Sequence, residues 1–234
     1  KHRFPILLLT DHHGNILYSD EITKAVFSLD LSEKAIELAK KTKADLIVTH
    51  HPAIYYPISE IGVSDETKCL LEAAKNGISV ISMHLNLDIA DNGIDESLAK
   101  ALGAKSCACI AEICPPYGYG REFDVDINGF DEFVKAAIKN LSAKNYLTYK
   151  THDDVKKVAS FCGGGSSDAA EYTGEADTIV TSDMPHHVVK KLVESGKNIL
   201  VLTHYASEFY GFKKFYEKLT GVIPSVILAE EIYL

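Results

Sequence analysis

Tryptophan is absent from this sequence of 234 residues, and positive charge is scarce. No stretch approaches the roughly 18 consecutive apolar residues that a membrane-spanning helix needs, so we predict that the protein has no membrane partner. Lys and Arg number 24 against 33 Asp and Glu, which gives a formal net charge of −9. Because nucleic-acid-binding domains are usually basic, this balance argues against a nucleic acid as the main partner.

Disulfide patterns are also missing. The five cysteines are an odd number without disulfide spacing, which indicates a reducing compartment and predicts a cytoplasmic location. Cys107 and Cys109, with Cys114 nearby, could form a thiolate metal cluster, but their spacing matches no common zinc pattern. We therefore favour the interpretation that the cysteines are buried structural thiols.

Strands and helices alternate along most of the chain, which places the protein in the α/β class. The nearly all-apolar stretch 44–49 predicts a strand that is buried on both faces. A helix is predicted at 65–76 and a second strand at 78–83. Alternation of this kind indicates right-handed βαβ units around a parallel sheet.

The middle of the chain breaks this alternation. Pro115–Gly120 is rich in proline and glycine, predicts a loop, and is the best candidate for a boundary. We predict a discontinuous metal-binding α/β lobe formed by residues 1–105 and 176–234. Residues 106–175 form the predicted central lobe, which includes a small α+β insert.

Two passages resemble each other, which indicates an internal duplication. Residues 44–52 read ADLIVTHHP and residues 176–185 read ADTIVTSDMP. Each passage is followed by a helix and a strand, and then by a histidine with a carboxylate four residues later. Any two βαβ units look alike to some degree, but the shared ADxIVT string favours duplication. Ligands of open α/β sheets gather beyond the carboxyl ends of the strands, so two half-sites could share one pocket.

The histidines and carboxylates at the predicted strand ends form a metal-ligand pattern. His50 and His51 end the 44–49 strand, and His204 and Glu208 can converge if a helix begins near Ala206. Taken singly, Asp88 could cap a helix and Glu208 could be a helix-dipole partner. Together, three imidazoles and two carboxylates suit two divalent ions such as Zn, Mn or Fe, as in a two-metal hydrolytic site. The predicted metal ligands are His50, His51, Asp88, His204 and Glu208.

Residues beside these ligands could assist the chemistry. Gly163–Ser167 lies between a predicted strand and a helix, and it could either bind an anion or form a tight turn that needs positive φ. No Gly-Lys-Ser/Thr follows it, so it is not a P-loop. Asp183 and His187 are the proton-transfer candidates, because neither is needed as a metal ligand.

These motifs together resemble the Nif-three-like family (NGG-one-interacting factor three), often named GTP cyclohydrolase I type 2 homologues. The family's THHP pattern corresponds to Thr49–Pro52, its GGGS turn to Gly163–Ser166, and its GH-x-x-[ST]-E pattern to Thr203–Glu208. Ser182 and Thr203 stand where the family pattern has glycine. The resemblance implies a dinuclear metal centre with the five predicted ligands, two intertwined, duplicated α/β lobes, and a homohexamer built from dimers.

We expect a metal-dependent hydrolase that acts as a cyclohydrolase or phosphoesterase on a small phosphorylated or nucleotide-like ligand. The alternative is a non-catalytic metal-binding adapter that recruits protein partners, and a third possibility is metal storage. An open coordination position would favour the enzyme, whereas a closed ligand shell would favour the adapter.

Overall fold

The computed structural model describes residues 21–56, 65–223 and 226–229. They form two compact units: the described residues from 21 to 87 with those from 218 to 229, and residues 88–217. The predicted division into a lobe of residues 1–105 with 176–234 and a central lobe of residues 106–175 stays a prediction. The predicted α/β class is confirmed, since helices alternate with parallel strands in both units.

Ten strands and eight helices lie within the described residues. In chain order they are β1 (Ala25–Ser28), α1 (Glu33–Thr42), β2 (Leu46–Thr49), α2 (Asp65–Lys75), β3 (Ser79–Ser82), α3 (Leu85–Asp88), α4 (Ile94–Ala101), β4 (Ala108–Cys114), β5 (Tyr117–Asp124), α5 (Phe130–Leu141), β6 (Tyr146–Tyr149), β7 (Lys157–Ser160), α6 (Ser166–Glu171), β8 (Thr178–Ser182), α7 (His186–Glu194), β9 (Asn198–Leu202), α8 (His204–Leu219) and β10 (Val226–Leu228). Among the helices described here, none is long and apolar enough to cross a membrane.

The first unit is built on a four-stranded parallel sheet in the order β10-β1-β2-β3. All four residues of β2 are buried, as its apolar composition predicts. Helix α1 begins where the Ser32 hydroxyl accepts a hydrogen bond from the Ala35 N–H at 3.1 Å. Its buried face, which includes Ile36 and Ala39, packs in one core with Ile47 of β2.

The second unit is built on a six-stranded mixed sheet in the order β4-β5-β7-β8-β9-β6. Strands β7, β8 and β9 are parallel, whereas β4, β5 and β6 pair antiparallel with their neighbours. Phe161, Ile179 and Ile199 are fully buried in its core. The parallel strands place the ends of β8 and β9 at the same edge of this sheet.

The loop predicted at Pro115–Gly120 is wrong beyond its first two residues. Only Pro115 and Pro116 turn, and β5 begins at Tyr117 as the second strand of a hairpin with β4. A Cβ on Gly118 would lie 2.0 Å from the Ala111 carbonyl oxygen. This glycine is therefore required by the close approach of two strands. In the sequence, such a glycine looks the same as a glycine in a loop.

The two units repeat one hydrogen-bonding pattern at the start of their ADxIVT strings. In the first unit, Asp45 Oδ2 accepts from the backbone N–H groups of residues 23–24, at 2.9 and 3.1 Å. In the second unit, Asp177 Oδ2 accepts from those of residues 156–157, at 2.8 and 3.0 Å. Each aspartate thus ties the beginning of one strand to its parallel neighbour, which supports the predicted duplication.

Candidate metal-binding residues

His50 and His51 follow β2 at the edge where the parallel strands of the first unit end. Both backbone N–H groups donate to the Leu29 carbonyl, at 3.1 Å from His50 and 2.9 Å from His51. The His50 side chain is fully buried, and its Nδ1 lies 2.7 Å from the Met83 carbonyl oxygen. A carbonyl oxygen can only accept, so Nδ1 carries the proton of the neutral ring and Nε2 carries the lone pair that a metal ion needs.

Asp30 makes the corresponding contact with His51. Its Oδ1 lies 2.7 Å from His51 Nδ1, so the carboxylate holds this imidazole in the same tautomer. Asp30 is not among the site residues predicted from the sequence. It follows the end of β1, which is the parallel neighbour of β2. A search for acidic residues at the ends of neighbouring predicted strands could have found it.

His84 adds a third imidazole to the first unit. Its ring centroid lies 5.3 Å from that of His50 and 6.0 Å from that of His51. One ring nitrogen of His84 lies within 4.8 Å of a ring nitrogen of His50. His84 is not among the metal ligands predicted from the sequence. The first unit therefore offers three imidazoles, the donor type that suits zinc or iron.

In the second unit, helix α8 carries His204 and Glu208 one turn apart. His204 Nε2 lies 3.1 Å from Glu208 Oε1, as expected for residues at i and i+4. The helix begins at His204 and not near Ala206, because the Thr203 hydroxyl accepts from the Ala206 N–H at 3.1 Å. Glu208 is only 3% exposed, and a carboxylate this buried requires donors or a cation around it.

Asp183 contacts the other ring nitrogen of His204. Asp183 Oδ2 lies 2.5 Å from His204 Nδ1, so both nitrogens of this imidazole face carboxylate oxygens. Asp183 directly follows β8 and has a φ of +49°, in the left-handed region that Asp adopts more often than most residues. The structure thus brings together three predicted site residues of the second unit: His204, Glu208 and Asp183.

Gly163 fits tightly beside this group. Its φ is +54°, and a Cβ added to it would lie 2.2 Å from Glu208 Oε1. The Gly163 N–H donates to the Ser207 hydroxyl at 2.9 Å, and the Ser182 hydroxyl donates to the Gly163 carbonyl. The Gly163 turn therefore needs positive φ and close packing, as the tight-turn interpretation predicts. Ser182, which replaces a glycine of the family pattern, stabilises this turn.

Asp88 belongs to a buried polar network of the second unit. The Cys162 thiol donates to Asp88 Oδ1 at 3.4 Å, and the Cys162 N–H donates to Asp95 Oδ1 at 3.0 Å. Burial and the charges of Asp88 and Asp95 raise the pKa of the Cys162 thiol well above its ordinary value, so the thiol keeps its proton and donates. Asp95 is itself fully buried, and burial raises its pKa to about 6 although Arg121 Nη1 lies 3.7 Å away. Asp88 is thereby linked to the core of its unit.

The other proton-transfer candidate and the cysteines complete the predicted residues. His187 is exposed in the first turn of α7. Two of the cysteines, Cys69 and Cys162, are buried as predicted, but the other three are half-buried or exposed. All five cysteines lie within the described residues, and none of them belongs to a group of three potential metal ligands. The groups that could hold a metal ion consist of His, Asp and Glu side chains.

Comparison with known proteins gives consistent matches. A family described as Duf34/NIF3 (NGG1p interacting factor 3) matches residues 10–232. A protein of Methanocaldococcus jannaschii named GTP cyclohydrolase 1 type 2 homolog is 32% identical over 215 residues, which cover 89% of this chain and 84% of that protein. NGG1-interacting factor 3 of Saccharomyces cerevisiae is 28% identical over 211 residues, which cover 80% and 71%.

A solved structure shares the fold. It is described as reduced HcgD from Methanocaldococcus jannaschii, and it superposes with a TM-score of 0.79 and 28% sequence identity. The match covers 94% of this chain and 90% of that one. The similarity therefore extends through both units.

Proposed function

We propose a metal-dependent hydrolytic function for this chain, which belongs to the Duf34/NIF3 (NGG1p interacting factor 3) family. One feature shared by three histidines carries the proposal. His50, His51 and His204 each have Nδ1 beside an oxygen acceptor, at 2.7, 2.7 and 2.5 Å. Metal-binding imidazoles commonly donate their second N–H to a carboxylate or carbonyl, which fixes the tautomer and the ring orientation. These contacts favour Nε2 as the metal-binding nitrogen of each ring.

The proposed ligands supply nitrogen and carboxylate donors. They are the five residues predicted from the sequence: His50, His51, Asp88, His204 and Glu208. Burial supports this set, because Asp88 and Glu208 are 5% and 3% exposed and a buried carboxylate is stabilised by a cation. The donor types fit two divalent ions such as Zn, Mn or Fe. His84, with a ring nitrogen within 4.8 Å of one of His50, is an additional candidate.

A pair of divalent ions, when bound, supplies the Lewis acidity with which hydrolytic enzymes turn water into a nucleophile. The residues around the ligands have separate proposed tasks. Asp30 and Asp183 hold His51 and His204 in the Nδ1–H tautomer. Asp183 is also a candidate for proton transfer, together with His187, which is exposed and open to a substrate.

We propose a nucleotide-type substrate and a cyclohydrolase-like or phosphoesterase-like reaction. The name of the Methanocaldococcus jannaschii relative, GTP cyclohydrolase 1 type 2 homolog, supports this substrate class. The net charge of −9 does not favour a polyanion such as a nucleic acid, whereas divalent ions can offset the charge of a small phosphorylated ligand. A homohexamer built from dimers and a cytoplasmic location also remain proposals.

The test compares two glutamate variants of helix α8. Glu208→Gln removes a proposed ligand charge at nearly unchanged volume, whereas Glu217→Gln changes an exposed glutamate that pairs with Lys214 at 2.9 Å. Elemental analysis of the purified proteins should find divalent metal in the wild type and in Glu217→Gln, and much less in Glu208→Gln. Turnover of nucleotides and phosphoesters should follow the metal content.

The outcomes separate the proposed functions. Wild-type protein that contains no metal and takes up none from added Zn, Mn or Fe salts would refute the metal site. Metal that Glu208→Gln removes, without turnover of any tested substrate, would favour the metal-binding adapter. Equal metal content in the wild type and Glu208→Gln would exclude Glu208 as a ligand.

A further inference from the structure

Two adjacent tyrosines lie exposed in the first unit, just beyond the histidine pair. Tyr55 is 47% exposed and Tyr56 is 74% exposed, the largest exposed fraction among the large hydrophobic side chains of the described chain. Their ring centroids lie 4.9 Å apart with an interplanar angle of 74°, an edge-to-face contact. One exposed tyrosine is ordinary, but two that pack against each other present a continuous aromatic surface to solvent.

This tyrosine pair is continuous with the imidazoles of the first unit. The Tyr55 ring centroid lies 6.1 Å from that of His84, again edge to face. The His84 centroid lies 5.3 Å from that of His50, a proposed metal ligand. The rings of Tyr55, His84 and His50 thus form a continuous row, along which one molecule stacked on the tyrosine pair can extend toward His50.

The charge of the surrounding sequence indicates which part of a ligand the pair would contact. No Lys or Arg occurs between Lys43 and Lys68. Phosphate groups are usually bound by cationic side chains or clustered backbone N–H groups. An aromatic surface in a stretch without cations suits an uncharged planar ring, since stacking on tyrosine needs only a π-face.

We propose that Tyr55 and Tyr56 form a stacking subsite for a planar nitrogen heterocycle, such as a purine, next to the metal-binding histidines. The inference rests on the proposed function and deepens it by naming the part of the substrate that this surface holds. Stacking there places the ring, and not the phosphate end, beside the histidines. The subsite therefore favours attack on the ring over phosphoester hydrolysis.

The experiment measures the binding of guanosine, with ribose as a matched probe that lacks the ring, to the full chain with and without added metal. Titration calorimetry should detect guanosine but not ribose. Tyr56→Ala should weaken guanosine binding by roughly five- to 150-fold, the usual range for loss of one stacking partner. Tyr56→Phe, which keeps the ring, should bind as the wild type does. Tyr146→Ala removes a tyrosine that is 40% exposed on β6 and should have no effect.

Each contrary outcome overturns the subsite. These outcomes are no guanosine binding by the wild type, equal binding by Tyr56→Ala, or an equal loss in Tyr56→Phe. A change of molecular mass in solution for Tyr56→Ala would assign the pair to an interface between chains. Metal content, measured on the same samples, should be unchanged in Tyr56→Ala. If the wild type holds no metal but guanosine binding still depends on Tyr56, the proposed function fails and the subsite stands.

Discussion

The variant Gly163→Ala tests how the positions of the candidate metal ligands affect metal binding, apart from any effect on the stability of the fold. A Cβ at this position would lie 2.2 Å from Glu208 Oε1 and 3.2 Å from His204 Nε2. The backbone of Gly163 cannot easily move away, because its carbonyl accepts a hydrogen bond from the Ser182 hydroxyl and its N–H donates one to the Ser207 hydroxyl. The carboxylate of Glu208 must then move by about 1 Å to reach ordinary van der Waals contact.

A displacement of this size is large on the scale of metal coordination. Carboxylate oxygens bind zinc at about 2.0–2.2 Å, so a shift of about 1 Å breaks the bond unless the ion moves as well. We expect Gly163→Ala to lower metal affinity at least about tenfold, by comparison with the effect of disturbing residues that orient metal ligands. The substituted alanine must also adopt a φ of +54°, which should lower the free energy of unfolding by about 1–2 kcal/mol.

Two glycines of the same unit provide the controls. Gly196→Ala imposes the same backbone strain, with a φ of +75°, but its Cβ would meet nothing within 4 Å. Gly164→Ala imposes neither strain nor contact. Urea unfolding should show destabilisation by both Gly163→Ala and Gly196→Ala, at least as large in Gly163→Ala because its Cβ also overpacks the site, whereas calorimetric metal titration should show weakening by Gly163→Ala alone. Unchanged metal affinity of Gly163→Ala, or equal weakening by Gly196→Ala, would refute the reasoning.

Variants at three further positions test the hydrogen bonds around the site by urea unfolding. Thr203→Ala removes the cap of α8 and should cost about 1 kcal/mol of unfolding free energy, which Thr203→Ser should restore. Ser182→Ala removes the buried bond to the Gly163 carbonyl and should cost about 1 kcal/mol; a neutral result would show that this bond adds nothing. The pKa of Asp95 is raised to about 6 from an ordinary 3.8, so the folded state binds this proton more tightly and unfolding free energy falls as pH rises from about 4 to about 6. Asp95→Asn should flatten this part of the pH profile, and identical profiles would contradict the assignment.

The alternation of strands and helices could be predicted because burial leaves a strong pattern. The nearly all-apolar stretch before His50 becomes β2, and α1 begins after Ser32, a residue type that favours helix N-caps. The hairpin of β4 and β5 could not be predicted in the same way. Its glycines look like a loop in the sequence, although Gly118 is required by the close approach of Ala111 on the paired strand. That requirement depends on strand pairing, which local sequence does not encode.

In the candidate site, too, contacts between residues close in sequence could be predicted, whereas contacts that depend on the tertiary fold could not. His204 and Glu208 could be paired from their spacing alone, because four residues span one helical turn. Asp30 and His51 could not be paired from their spacing, since they lie 21 residues apart. They meet only because β1 and β2 are neighbours in the sheet. Cys162 is similar: its contact with Asp88 spans 74 residues, and a lone buried cysteine gives no sign of such a partner.

The duplicated strings end in different residues, yet each unit forms a histidine–aspartate pair at the ends of its parallel strands. In the first unit the histidine follows the ADxIVT strand, and Asp30 comes from the strand before it. In the second unit Asp183 occupies the place of His51, and its partner His204 comes from the strand after it. Both units thus contain a histidine–aspartate pair, but the strand that precedes the histidine differs between them. If both pairs orient metal ligands, Asp30→Ala and Asp183→Ala should weaken metal binding to a similar degree, about 10- to 100-fold, in calorimetric titration. An effect of only one of them would mean that the resemblance between the pairs is structural and not functional.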